Sequence, residues 1–278
     1  MSNFVSATEL NELLASEAPV RLIDVRWRLD RPDGRSDYLA GHIPGAVYVP
    51  LDTELATHGE PSEGRHPLPS TQTLQDAARR WGVNRGDLVV AYDDAKGLSA
   101  SRAWWLLRQG GVDVRVLDGG IRAWTAAGLP VTTDDVQVEA GDVVLAEIGG
   151  DAISIDEASA FPEAGVLLDV RAPERYRGDH EPLDPIAGHI PGAVNLPMAA
   201  HLDAEGRILD LHTLQATFAA VGVEQGTPVA AYCGSGITAA HTALVLDEAG
   251  IAAKVFPGSW SQWSNTPGRP VARGDQPG

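Results

Sequence analysis

The sequence predicts an α/β protein of two tandem domains, each an open, mostly parallel sheet flanked by helices. The first observation behind this is an internal repeat. LIDVRW at 22–27 returns as LLDVRA at 167–172, GHIPGAVYVP at 41–50 as GHIPGAVNLP at 188–197, and TLQDAARRWGV at 73–83 as TLQATFAAVGV at 213–223. VVAYDD at 89–94 matches VAAYCG at 229–234, and VRVLDGGIRAW at 114–124 matches AKVFPGSWSQW at 253–263, in unbroken order. The offset of about 140 residues far exceeds the roughly 20–50 residue period of stacked repeats, so a whole domain is duplicated. The second observation is the alternation of short β-branched runs with amphipathic stretches, which suits strands covered on both faces by helices. The third is length: 278 residues suffice for two domains that each bury a core. The copies are read as residues 1–131 and 152–278, with the unmatched stretch 132–151 as a linker.

Taken in order, Ser6 and Glu9 form an S-x-x-E pattern whose side chains can satisfy the free N–H groups of a helix start; Ser154 and Glu157 repeat it. VRLIDV (20–25), AVYVP (46–50), LVVAY (88–92) and VRVLD (114–118) read as strands bounded by Gly, Pro or Asp. Each TLQ segment reads as a helix, ended at Gly82 or Gly222, because glycine takes the left-handed conformation there without strain. In the second copy PVAAY (228–232) is a strand and TAAHTALVLDEAG (238–250) a helix. CGSGIT is therefore a strand-to-helix turn, at the carboxyl end of a strand, where open α/β sheets place their functional loops.

Composition narrows the function. A net charge of −17 argues against nucleic acid and anionic membrane as partners. No stretch approaches the ~18 uninterrupted apolar residues of a membrane span, and MSNFVSATELNELL lacks the basic start and apolar core of a signal peptide. A cytoplasmic protein is expected. The single cysteine, Cys233, forms no internal disulfide, and no metal site is expected from it. It is either a buried filler or a reactive thiol. Its place at the start of CGSGIT favours the second reading: the sulfur sits at the positive end of a helix, ringed by N–H groups that Gly234 and Gly236 leave free to point inward, which favours the thiolate.

With its paired domains, its D-x-R strand ends, its two GHIPGA segments and a six-residue loop that begins with Cys only in the second copy, the chain resembles the tandem-domain rhodaneses. CGSGIT resembles the loop of their 3-mercaptopyruvate sulfurtransferase branch. The resemblance implies a first domain without catalytic cysteine and a catalytic second domain, in which Cys233 takes a sulfane sulfur from a small anionic donor. The sulfur is held as a persulfide and passed to a thiol or cyanide, with no cofactor. Gly234, Gly236, Ile237 and Thr238 would line the donor site, with Trp27 as an aromatic neighbour. Ser235 matches a serine that the mercaptopyruvate enzymes use in a proton relay with a His and an Asp; His42 matches the His, and Asp33, with Asp37 close behind, is chosen as the Asp. Arg175 stands where the family has an arginine for the donor's anionic end. Thiosulfate-preferring relatives tend to carry basic residues in the loop. This loop has none, so 3-mercaptopyruvate is the expected donor and thiosulfate the alternative. One departure stands out: a second arginine, frequent before the second GHIPG, is missing from HEPLDPIAGHIPG, which has Asp184, and Arg177 is the nearest substitute.

Other readings remain open beside these. His42 and His189 occupy the same place in both copies, which suits a turn-bonding role as well as a catalytic one. Arg26 and Arg171 suit structural ion pairs, Trp27 and Trp104, Trp105, Trp124 and Trp263 suit core packing, Asp33 a solvated loop, and Ser235 a small loop residue. In the first copy Asp93 stands opposite Cys233 in a loop one residue longer; a carboxylate carries no persulfide, and the amides of DDAKGL are not expected to converge on a sulfur placed there by Asp93→Cys. A rhodanese-fold phosphatase would need a longer loop ending in Arg, and a non-catalytic binding module has no need of the cysteine.

Overall fold

The duplication becomes two parallel sheets, one in each of two compact units, in a computed structural model that describes residues 2–16 and 18–278. Unit 1 takes the chain up to Thr57, Leu68–Gly150 and Ala204–Arg207; unit 2 takes His58–Pro67, Asp151–Asp203 and Ile208–Gly278. In unit 1 the order is β1 (Phe4–Val5), α1 (Ala7–Ala15), β2 (Val20–Asp24), α2 (Arg35–Ala40), β3 (Val47–Tyr48), α3 (Thr71–Arg80), β4 (Leu88–Tyr92), α4 (Leu98–Gln109), β5 (Asp113–Leu117) and α5 (Gly120–Ala126). Unit 2 has α6 (Ile155–Ala160), β6 (Val166–Asp169), α7 (Pro173–Arg177), β7 (Val194–Asn195), α8 (Leu211–Ala219), β8 (Val229–Tyr232), α9 (Ile237–Glu248), β9 (Ala253–Val255) and α10 (Ser259–Asn265). The sheets run β1-β5-β4-β2-β3 and β7-β6-β8-β9.

Both S-x-x-E patterns are complete capping boxes, at Ser6–Glu9 and Ser154–Glu157. Gly82 and Gly222, with φ of 76° and 80°, follow α3 and α8 as the sequence predicts. The AVYVP run is shorter than read: only Val47 and Tyr48 pair, because the strand is at the sheet edge and Pro50 has no N–H to extend the ladder. In the interior, Leu22 pairs with Val90 and Ile23 with Ala91 in unit 1, and Leu167 pairs with Ala230 in unit 2. Each sheet buries its own cluster, around Leu10, Leu22, Tyr92 and Trp124 in one unit and Leu167, Tyr232, Phe256 and Trp263 in the other.

The D-V-R strand ends brace the GHIPGA turns. Asp24 binds the Arg26 guanidinium at 2.6 Å, which in turn donates to Gly41 O; Asp169 and Arg171 repeat the pair at 2.5 Å with Gly188 O as acceptor. Of residues 132–151, read as linker, all but Asp151 belong to unit 1: Thr132 exchanges two backbone bonds with His42, Gly141 N–H donates to Arg79 O, and Val143 and Leu145 are buried. Residues 58–67, from the first copy of the repeat, belong to unit 2. There Gly64, at φ 88°, lies so close to Gly258 that an added Cβ would meet its carbonyl oxygen at 2.8 Å, and Arg65 N–H donates to Ser261 Oγ at 3.0 Å.

Candidate active site

Strand β8 ends at Tyr232 and helix α9 begins at Ile237, so Cys233 and its loop occupy the turn that the alternation of apolar runs requires. The thiol is only 2% exposed. Gly236 N–H donates to Sγ at 3.1 Å. Gly236 holds φ 81° and sits against Pro257 O, which an added Cβ would meet at 2.4 Å; only glycine fits. The Cys233 N–H donates to Ser259 Oγ at 3.1 Å, and that hydroxyl donates to Phe256 O at 2.8 Å while lying 3.9 Å from Sγ. Ser259 adopts φ 53°, a strained conformation for a non-glycine residue, retained where it bonds the nucleophile's backbone. The sulfur thus accepts a backbone amide at the start of a twelve-residue helix.

Around this loop unit 2 gathers a serine–histidine pair and two guanidinium groups. Ser235 Oγ lies 2.9 Å from His66 Nδ1, and both residues are buried. Arg65 donates to Gly234 O at 3.3 Å and to Asp184 at 2.6 Å. Arg175 is held by Glu181, Nε at 3.1 Å and Nη2 at 2.8 Å, and reaches Asp184 at 3.4 Å. A Cβ on Gly234 would lie 3.3 Å from Arg175 Nη1 and 3.4 Å from Arg65 Nη2, so two guanidinium groups face the loop's second residue. Beside them opens a cleft of about 340 Å³ lined by Arg65, Asp184, Leu183, Pro185, Ser261 and Asn265 among others.

The structure brings Cys233, Gly234, Ser235, Gly236, Ile237, Thr238 and Arg175 together in unit 2. Trp27, Asp33 and His42 belong to unit 1. There Trp27 is buried, and Asp33 is an exposed loop residue that accepts the Arg35 N–H at 2.9 Å. His42 is buried, stacked on Tyr38 with ring centres 3.8 Å apart, and its Nδ1 lies 2.8 Å from Tyr38 O; His189 repeats this on Tyr176 at 3.7 Å and 2.8 Å. The same arrangement in both copies is a turn brace. The imidazole on Ser235 is that of His66, in the place the sequence reading gave to His42. Sequence reasoning missed His66 and Arg65, although one signal pointed to them: EGR at 63–65 recurs at 205–207, and His66 then faces Ile208, a polar break in a well-kept repeat. Arg177, the suggested second arginine, is turned to Asp179 at 2.7 Å, and Asp37 pairs with Arg31. In the first copy the amides of Ala95 and Gly97 in DDAKGL, and of Ser99 and Ala100 just beyond it, donate to the carboxylate of Asp93.

A buried cysteine sulfur that accepts a backbone amide, with a Ser–His pair and two guanidinium groups around its loop, is an arrangement suited to covalent chemistry on a small anion, and the first copy has Asp93 in place of the cysteine. The profile of the rhodanese-like domain matches residues 6–127 and 154–266, and the chain belongs to that family. It is 44% identical over 274 residues to SseB of Mycobacterium tuberculosis strain H37Rv, which bears a thiosulfate sulfurtransferase name, covering 97% of this chain and 96% of that one. It is 34% identical over 284 residues to the 3-mercaptopyruvate sulfurtransferase of Escherichia coli K12, covering 96% and 97%. The crystal structure of SseA, a 3-mercaptopyruvate sulfurtransferase from Escherichia coli, superposes with a TM-score of 0.81 at 32% identity, covering 94% of this chain and 99% of that one.

Proposed function

We propose that the protein is a sulfurtransferase that moves a sulfane sulfur from 3-mercaptopyruvate to a thiol or cyanide through a persulfide on Cys233. The observation that carries the choice of donor is the Ser235–His66 pair, 2.9 Å apart, beside a loop with no cation of its own. The Cys233 thiolate attacks the donor's sulfur, the carbon–sulfur bond breaks, and its electron pair passes to pyruvate as an enolate. The proton of the donor's thiol moves to the Ser235–His66 pair and on to the enolate carbon, giving pyruvate. An acceptor thiolate or cyanide then takes the outer sulfur and returns Cys233 as thiolate. Arg175 binds the donor carboxylate through Nη1, which makes no hydrogen bond among the described residues.

These steps call for a thiolate and a proton shuttle and for no cofactor. The first copy, residues 1–131, is inactive in sulfur transfer because Asp93 replaces the nucleophile. A lone cysteine used as nucleophile works in a reducing compartment, and we place the protein in the cytoplasm. Among the described residues no helix is long and apolar enough to cross a membrane. The test is intact-mass analysis after incubation with 3-mercaptopyruvate, which should add one sulfur, about 32 Da, that cyanide removes. Cys233→Ser should lose the adduct and at least about 10³-fold in turnover; unchanged transfer would end this reading. The similarity to SseB supports thiosulfate as a second donor, and side-by-side turnover decides which is preferred.

A further inference from the structure

The two guanidinium groups at Gly234 are not bare. Asp184 spans both, bonding Arg65 Nη1 at 2.6 Å, Arg65 Nη2 at 3.3 Å and Arg175 Nη2 at 3.4 Å, while Glu181 holds Arg175 through Nε and Nη2. The carboxylate side chains are 1% and 2% exposed, and the arginines they hold are 28% and 18% exposed. Glu181 also takes the Leu183 N–H at 3.1 Å and Arg171 Nη1 at 3.3 Å, but Arg171 is itself neutralised by Asp169 at 2.5 Å. The mouth of the site is therefore a balanced cluster of two positive and two negative charges, with the positive members outermost. A dianion placed against it gains little more attraction than a monoanion, and is more strongly hydrated in water. Arg175 Nη1 remains free to hydrogen-bond a single carboxylate.

We infer that Asp184 is a specificity-determining residue: by compensating Arg65 and Arg175 it sets the site for singly charged donors such as an α-keto carboxylate and against doubly charged ones such as thiosulfate. Arg65, supplied by the 58–67 segment, is the second cation of the clamp. The inference rests on the sulfur-transfer reading above, and its test runs on opposed charge changes. Asp184→Asn keeps the shape and an acceptor oxygen but leaves one surplus positive charge; it should shift the ratio of kcat/KM values about tenfold toward thiosulfate, mainly through KM. Arg65→Gln leaves one surplus negative charge and should shift the ratio the other way. The double variant restores neutrality and should return the ratio to that of the unmodified protein. Equilibrium binding of pyruvate and of thiosulfate to Cys233→Ser, followed by tryptophan fluorescence with and without each change, reads the same discrimination without catalysis. If no persulfide forms with either donor, the sulfur-transfer reading fails while the binding ratio still measures the charge rule. Shifts of the same sign in both single variants, or no shift in the binding ratio, would overturn the inference.

Discussion

The protein builds the same strand-to-helix turn twice and opens it with a different side chain in each copy, a carboxyl in one and a thiol in the other. In unit 1 the Asp93 carboxylate accepts the N–H groups of Ala95, Gly97, Ser99 and Ala100 at 2.8–2.9 Å. In unit 2 Cys233 Sγ accepts the N–H of Gly236 at 3.1 Å. Gly97 and Gly236 correspond: both cap the following helix at φ 81°. The main chains beyond also match, since Ile121 N–H reaches Asp93 O and Trp260 N–H reaches Cys233 O, each at 3.0 Å. Burial pushes the Asp93 carboxyl up, and the four amides work against that rise. Unit 1 thus fills its cradle with a carboxylate of its own. The comparison teaches that this turn directs backbone amides at the side chain that opens it, four at Asp93 and one at Cys233. Only the second copy puts a thiol there, with a Ser–His pair in the same unit. Two further exchanges follow the same division: Gly120 in unit 1 corresponds to Ser259, and buried Arg102 corresponds to buried His241.

The largest expected effect comes from the shuttle. Ser235→Ala and His66→Gln should each lower 3-mercaptopyruvate turnover by about 10²–10⁴-fold while sparing thiosulfate turnover, because only the first reaction protonates an enolate. His42→Gln should instead lower stability, by about 1–3 kcal/mol in urea denaturation, through the lost bond to Tyr38 O, with the donor ratio intact. Equal losses for both donors in Ser235→Ala would reduce that serine to a shaper of the loop, and the copies would differ in the nucleophile alone.

Next is the filled cradle. Asp93→Ala leaves four converging amides without an acceptor and should cost about 3 kcal/mol or more of stability, read from the urea midpoint. Millimolar sulfate should recover part of the loss by occupying the vacated place. An unchanged midpoint would show that the unit 1 loop holds its shape without an anion.

Smaller is the effect of the exchange at helix α9. His201 and His241 lie in unit 2 with parallel rings 6.2 Å apart, and burial holds their imidazoles down at about 4 and about 3. Neither ring is charged in the folded or unfolded chain above the ordinary histidine value near 6.5. Below it the unfolded chain takes up protons that the folded chain refuses. Stability should therefore fall as the pH drops from about 6.5 toward 4, by about 2 kcal/mol between pH 7.5 and 5.5. His241→Leu should roughly halve that slope, and a slope that survives the change would assign the pH dependence elsewhere. The smallest effect is expected from Ser259→Gly, which makes unit 2 resemble unit 1: the backbone strain is relieved, the hydroxyl acceptor of the Cys233 N–H is lost, and turnover should fall about fivefold. A gain in turnover would mean that the strain at Ser259 serves no purpose at the nucleophile.

By itself the sequence determined the duplication, the parallel α/β order, the capped helices and the place of Cys233. These are local matters: an apolar run of four or five residues, a capping box and a glycine-flanked turn each fix their own geometry within a few residues. It also made Arg175 legible, because α7 follows a D-V-R strand end present in both copies. Tertiary structure alone decided which histidine meets Ser235. His42 lies in a matching motif and yet braces its own turn, whereas His66 is 169 positions from Ser235 and reaches it because residues 58–67 belong to the second compact unit rather than the first. The same packing puts Arg65 on Asp184, so an aspartate that breaks the expected arginine pattern is matched by an arginine from elsewhere in the chain. The recurring EGR marks Arg65 and His66 only as a break in the repeat and says nothing of the residues they meet. Each contact depends on long-range packing around Gly64 and Ser261, and packing of that kind is specified by the burial of whole surfaces rather than by any local run of residues.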